Sequence, residues 1–352
     1  MSPPDLHALA LTNRFLFWEA ERFRWNTLSI RLDSRPGRKS MDSALRVLFG
    51  TEGRPARVVN LQLTATQEGK PKAMFLFVDR FLREAQGLRT LHIYDARKRR
   101  TPPLRFLTNF SLFPFQLTEL VIRALDNVVT NVQDVAISQP AIERLSIYTR
   151  GRNKRDISAL QLPNDALPNL TAVSTFPETI HLVEGRPVRY LHILATWAWP
   201  LPTVEAMFRS GAQPVTAVSL CGGTSQHVAS FLLFLLRFAP KLRFLGCEWT
   251  HGTPTLEDVQ PLRDFAELEC IRWRSLTIRK KRRKSAPVMD PGFYASPSLR
   301  SVQQDIEGHG GVWHRADNPT KGWRFDPGEF ISPPPVYPLS LVRLPRCSPR
   351  SC

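Results

Sequence analysis

His309 and His314 flank the run Gly310 to Trp313, and two imidazoles so close in sequence invite a metal-site reading. Their spacing matches neither the HExxH helix of zinc hydrolases nor a finger motif, so no metal site is expected there. Gly222 and Gly223 follow an apolar strand-like stretch, as the glycines of a phosphate loop would, but no Gly-Lys-Ser/Thr comes after them; a strand-ending turn is the expectation. Cys221 has no base near it in sequence, and no GxSxG elbow occurs. The five cysteines, Cys221, Cys247, Cys270, Cys347 and Cys352, include no CxxC pair and read as reduced thiols. No catalytic constellation and no cofactor site emerges.

The strongest linear signal is the basic run Arg279, Lys280, Lys281, Arg282, Arg283 and Lys284. Like charges repel, so the run reads as a solvated loop between the last two strands. Its functional readings are a nuclear-import signal or a nucleic-acid patch. The whole chain carries 48 Lys+Arg against 31 Asp+Glu, a formal charge of +17, which favours encounter with polyanions or acidic proteins.

The elements that would position such residues follow from an internal repeat. An apolar-x-x-apolar-x-apolar strand recurs around Leu28, Leu61, Leu91, Leu120, Leu145, Val173, Leu191, Val218, Leu245, Ile271 and Val302. The intervals are roughly 18 to 33 residues, most of them near the 20 to 29 of leucine-rich repeats. Between strands, Ala73–Ala85, Pro202–Phe208, His227–Phe238 and Leu256–Glu267 place apolar residues at helical steps, and Gly87, Gly211 and Pro240 act as stops. The gap from Val173 to Leu191 has room for a loop or a single turn. Alternating strands and helices predict an α/β fold, a leucine-rich-repeat-like curved solenoid with parallel strands and outer helices, and a short N-terminal helical segment.

Because side chains alternate along a strand, the residues between the inner apolar positions line the open face. These are Ser29, Gln62, His92, Val121, Ser146, Ser174, His192, Ser219, Gly246 and Arg272. The next outward position adds Arg31, Tyr94, Arg123, Tyr148, Phe176 and Arg274. Aromatic residues and Arg are the usual anchors of interfaces, so His92, Tyr94, Arg123, Tyr148, His192, Arg272 and Arg274 are the candidate partner-binding residues on what should be a concave face. Trp197 and Trp199 read as packing at the rim.

The stretch Asp5 to Ile30, with Asp-Leu opening a helix, then Leu-Ala-Leu-Thr-Asn-Arg and an aromatic pair, resembles the second half of an F-box. With the repeat array, the chain resembles fungal F-box proteins of the leucine-rich-repeat type across nearly its whole length. That resemblance implies a substrate-recognition subunit of a cullin-RING ubiquitin ligase, gripping a protein target and docking on a Skp-type linker. The alternative is a stand-alone scaffold or nuclear binding protein. The expected organisation is a partial F-box-like segment at 1–24, a solenoid at 25–308, a hairpin-like cap at 309–330 and a Pro-rich disordered tail at 331–352. No signal peptide is visible in MSPPDLHALA, and the longest apolar run, Val228 to Phe238, falls short of the roughly 20 residues of a membrane span. The expected location is the cytoplasm or nucleus.

Overall fold

The computed structural model describes residues 26–31, 49, 55–65, 72–95, 110–124, 129–149, 162–163, 165–194, 201–224, 227–251, 254–275, 291–293, 295–306, 309–316 and 322–327. The chain divides into two compact units, Met1–Val188 with Ser210–Ala212, and Arg189–Arg209 with Gln213–Cys352. The F-box-like segment, Trp197 and Trp199, the basic run and the Pro-rich tail lie outside the described residues.

In the first unit six strands lie side by side in sequence order. They are β1 (Thr27–Arg31), β2 (Asn60–Ala65), β3 (Thr90–Asp95), β4 (Glu119–Ala124), β5 (Arg144–Thr149) and β6 (Ala172–Thr175), each parallel to the next. The register sets Leu61, Leu91, Leu120, Leu145 and Val173 in one line and Leu63, Ile93, Ile122 and Ile147 in another. All nine are buried. Each such side chain contributes roughly 1.5 to 3 kcal/mol, so the repeated leucines fix the register: a one-residue slip would turn both lines to solvent.

A second regularity fixes where each repeat begins. The carbonyl oxygen of Asn26 accepts from the N–H groups of Val59 and Asn60, that of Val59 from Arg89 and Thr90, and that of Arg89 from Thr118 and Glu119. The same double acceptance continues through Thr118 and Glu143. Backbone groups at the strand entrance are thereby satisfied without any side chain.

Behind the strands, helix α1 (Lys72–Glu84) buries Val78, Phe81 and Leu82, and its polar side carries the pairs Arg80–Glu84 and Arg83–Asp79. Helix α2 (Val129–Ser138) was not expected, since its Val-Thr-Asn-Val opening favours a strand over a helix. Where helices are absent, other devices close the core. Phe113 and Phe115 stack on one another and Phe110 meets both edge-on, all three buried in the segment that leads into β4. The buried Gln139 amide accepts from the Leu117 N–H at 2.8 Å and donates to the Phe115 carbonyl at 3.3 Å. After β6 two short 3-10 turns, joined by a kink at Thr179 within Pro177–Leu182, fill the short gap where a loop or a single turn was expected. Arg186, only 1% exposed, ties this segment down by donating to the carbonyls of Ala166, His181, Glu184 and Pro163 at 2.6 to 3.0 Å.

The second unit repeats the scheme with β7 (Tyr190–Leu194), β8 (Ala217–Thr224), β9 (Phe244–His251), β10 (Cys270–Ser275) and β11 (Ser301–Ile306), again parallel and in order. Helices α3 (Leu201–Ser210, whose last residue belongs to the first unit), α4 (Val228–Phe238) and α5 (Leu256–Val259) form its outer layer. The helix expected over Leu256–Glu267 is cut short. It starts on a capping box, in which Thr255 Oγ1 accepts from the Asp258 N–H and Asp258 Oδ2 accepts from the Thr255 N–H. It then tightens into a 3-10 turn over Gln260–Asp264, because Pro261 has no N–H to give.

Beyond β11 the direction reverses: β12 (His309–Arg315) and β13 (Trp323–Pro327) are antiparallel, and Trp313 packs against Phe325 with ring centroids 5.0 Å apart. Gly311 is required here, since a Cβ would collide with the Phe325 ring. Among the described residues no helix is long and apolar enough to cross a membrane. With one parallel strand per repeat and helices or turns behind, both units have an α/β arrangement of the leucine-rich-repeat kind, not closed into a barrel.

Candidate functional site

The parallel register carries the outward side chains from strand to strand as strictly as the inward ones. In the first unit Gln62, His92, Val121, Ser146 and Ser174 share a line, and Thr64, Tyr94, Arg123 and Tyr148 share the next. Tyr94, Arg123 and Tyr148 are half-buried and adjacent, and the Tyr148 ring lies 5.8 Å from that of Phe176. The first line is less open than expected. Val121, Ser146 and Ser174 are buried, because these short side chains lie below the level of their larger neighbours.

His92 is brought into a cluster that the sequence did not announce. Its Nε2–H donates to Glu119 Oε1 at 3.0 Å, while Arg144 donates from Nε and Nη2 to Glu119 Oε2 at 3.0 and 2.9 Å. Glu119 occupies the outward position at the start of β4, in register with Thr90 and Arg144. At 6% exposure it pays a desolvation penalty that by itself raises its pKa. The hydrogen bonds and charges of His92 and Arg144 outweigh that penalty and hold the carboxyl below the ordinary carboxylate value. Glu119 is therefore an ionised, fully engaged carboxylate, and His92 a spoken-for imidazole rather than a free contact residue.

In the second unit the outward lines run through His192, Ser219, Gly246, Arg272 and Gln303, and through Leu194, Cys221, Glu248 and Arg274. Arg274 donates to Glu248 Oε1 at 3.2 Å, and the Cys221 thiol donates to Glu248 Oε2 at 3.5 Å. Glu248 is 4% exposed. Arg272 is half-buried, and its Nε has no partner among the described residues, nor does Oε1 of the neighbouring buried Gln303. His192 is half-buried.

The expected strand-ending turn at Gly222–Gly223 is instead a β-bulge within β8. The strand continues to Thr224, the register shifts at Cys221 to Gly223, and Gly222 takes a φ of 93°, a conformation that favours glycine. Such a bulge offers no helix N-terminus to a phosphate.

Other polar clusters carry no comparable geometry. An open cleft of about 580 Å³ at the strand entrances of the second unit is lined by Arg243, Glu267, Glu269, Ser298, Arg300 and Arg315. Its charges are largely spent internally: Arg243 pairs with Glu269 at 2.6 Å, and Arg315 donates to the carbonyls of Ser296, Pro297 and Leu299. Among the described residues no group of His, Cys, Asp and Glu is placed to hold a metal. Cys247 is fully buried, which pushes its thiol pKa far up.

Glu119, Arg144 and Glu248 were missed by the sequence reading. The signal was available, since strand alternation turns outward the residues two before Val121 and Ser146, which are Glu119 and Arg144, and the residue two after Gly246, which is Glu248.

No family model matches the chain, and no curated protein matches it. Among solved structures it is similar to a protein from Bacteroides fragilis, with a TM-score of 0.43, 12% identity, and coverage of 74% of this chain and 76% of that one. It is similar to the leucine-rich repeat-containing protein LegL7 from Legionella pneumophila, with a TM-score of 0.41, 11% identity, and coverage of 80% and 91%. A third is the TLR13 chain of a TLR13–ssRNA13 complex, with a TM-score of 0.35, 12% identity, and coverage of 73% of this chain and 41% of that one.

Proposed function

We propose that the chain is a non-catalytic recognition protein that holds a protein target against the outward faces of its strands. The observation that carries this reading is the register itself, which sets Tyr94, Arg123 and Tyr148 side by side on three adjacent strands. Aromatic rings and a guanidinium on a rigid sheet are a low-entropy contact surface, because few rotamers have to be frozen on binding. Arg272 and His192 extend the same kind of surface in the second unit.

The resemblance of Asp5–Ile30 to the second half of an F-box supports the finer proposal: the chain recruits a target for a cullin-RING ubiquitin ligase, and residues 5–24 meet a Skp-type linker. The basic run Arg279–Lys284 supports the second reading, a stand-alone scaffold or nuclear binding protein. No cofactor is needed in either case, and both place the protein in the cytoplasm or nucleus.

The test is affinity capture with the wild-type chain and with a variant carrying Tyr94→Ala, Arg123→Ala and Tyr148→Ala. The variant should lose its captured target while its melting curve stays cooperative. Unchanged capture would overturn the face assignment. In the same captures the linker subunit should co-purify with both forms; its clean absence from both would sink the ligase role and leave the scaffold.

A further inference from the structure

We infer that the partner of the first unit presents an acidic segment, and that Arg123, set between Tyr94 and Tyr148, receives one of its oxyanion groups. The inference rests on the protein-binding reading above and specifies the chemistry of the partner.

From β1 to β6, Glu119 is the sole acid among the described outward side chains of the strands. Its Oε1 accepts from His92 and its Oε2 accepts twice from Arg144. No ion pair to Arg123 forms among the described residues, although Arg123 stands on the same strand as Glu119 and on the same face. Arg144 holds Glu119 in a two-pronged geometry, and the burial of that carboxylate strengthens the pair. Among the described outward side chains of the first unit, Arg123 is thus the positive charge that Glu119 does not neutralise.

The surroundings of that charge favour an oxyanion. Arg123 is half-buried, so its guanidinium has already lost part of its hydration, and a ligand need displace less water to reach it. The neighbouring strands are roughly 4.8 Å away on either side, and each brings a Tyr to the same level. A phenol hydroxyl donates to carboxylate and phosphate oxygens, so the row offers a planar fork with the Tyr94 hydroxyl on one side and the Tyr148 ring on the other.

A nucleic-acid strand fits this face poorly. Backbone binding is built from several phosphate contacts in series, whereas among the described outward side chains of this face Arg123 is the one cation that Glu119 does not hold. One fork suits one acidic side chain, with the aromatic rings packing on the peptide beside it. A carboxylate and a phosphorylated side chain share the required chemistry, and the experiment separates them.

The full chain is titrated by fluorescence anisotropy with four labelled probes. These are a short peptide of alternating Glu and Ser, the same peptide with phosphoserines, one of alternating Lys and Ser, and single-stranded oligothymidine of equal length. One or both acidic peptides should bind saturably, the tighter of the two identifying the oxyanion, and the Lys peptide should not. Arg123→Gln should weaken binding by roughly tenfold or more, the scale of a lost hydrogen bond to a charged group, with Arg123→Lys between it and wild type. Arg83→Gln on α1 removes the same charge from the helical side and should leave binding unchanged. Equal losses from Arg83→Gln and Arg123→Gln would reduce the effect to diffuse attraction and overturn the inference. So would absence of binding by both acidic peptides, or tighter Arg123-dependent binding of oligothymidine. Capture with Gln62→Trp, a change at an exposed position of the same face, separates this failure from failure of the underlying reading. Loss of capture there, with peptide binding indifferent to Arg123, keeps the face and discards the acidic clamp; capture indifferent to both discards the face.

Discussion

The outward faces of the two units are built from the same parallel ladder and the same residue types, yet they leave different groups available. In the first unit the acid sits at the strand entrance, where Glu119 absorbs Arg144 and His92 and leaves Arg123 open four residues further along β4. In the second unit the acid sits deeper along the strand, where Glu248 absorbs Arg274 and the Cys221 thiol. The buried carboxylate of each face, Glu119 in one and Glu248 in the other, sits at a different depth and decides which guanidinium it engages. The outer layers differ as well. The second unit is backed by an apolar helix burying Phe231, Leu232 and Leu235, whereas the segment after β6 in the first depends on one buried Arg and the carbonyls around it.

That last contrast gives the largest expected effect. Arg186→Met keeps much of the side-chain volume but strands the carbonyls of Pro163, Ala166, His181 and Glu184, of which Ala166 loses a fully buried donor. The cost should be about 3 to 5 kcal/mol, the range for breaking a buried charged network. Leu232→Ala in α4 removes only apolar contacts and should cost about 2 to 5 kcal/mol. Chemical denaturation reads both. If Arg186→Met proves milder than Leu232→Ala, the segment after β6 is held by its apolar residues and not by the guanidinium.

A smaller effect sharpens the comparison between the two acids. Glu119→Gln gives up a bidentate Arg contact and a His contact, whereas Glu248→Gln gives up one Arg contact and a long thiol contact. Partial exposure of Arg144, His92 and Arg274 tempers both losses. We expect about 1 to 3 kcal/mol for Glu119→Gln and about 1 kcal/mol or less for Glu248→Gln. The Glu119 pKa is lowered in the folded chain, so its contribution is present above the ordinary value of 4.5 and is lost as the pH falls through the folded value. Wild type and Glu119→Gln should therefore converge in stability on acidification. Parallel stability curves down to strongly acidic pH would contradict the assignment of an ionised, engaged Glu119.

The inward half of this fold was legible because it obeys a strict two-residue alternation. Leu61, Leu91, Leu120 and Leu145 announce their own register, and helices α1, α3 and α4 follow from three- and four-residue steps. The failures have local physical causes. Pro261 breaks a helix whose apolar pattern continues past it, Val129–Ser138 is helical despite its β-branched opening, and Gly222 serves a bulge where a turn was expected. The outward half was legible in position and not in partnership. Tyr94, Arg123 and Tyr148 could be placed on one line from the alternation alone. That His92 is committed to Glu119, one repeat away, depends on the strand register and on the reach of side chains. Periodicity carries no information about which acid meets which base.

The smallest expected effect separates the units along the pH axis. In the first unit His181 has a buried Nε2 without a partner among the described residues, and burial, seconded by the nearby Arg186 charge and opposed by Glu184, lowers its pKa below the ordinary 6.5. The unfolded chain then binds a proton that the folded chain refuses, so stability should fall as the pH drops below 6.5. In the second unit Cys247 is raised, chiefly by burial and further by Glu248, so the unfolded chain loses a proton that the folded chain keeps; stability should fall as the pH rises above 9.0. His181→Gln should flatten the acid side of the profile and leave the alkaline side, and Cys247→Ala should do the reverse, whatever offset each adds to the overall stability. Denaturant midpoints measured across the pH range test both slopes. If one substitution moved both sides alike, the two thiol and imidazole environments would not be independent, and the division of acid and alkaline lability between the units would fail.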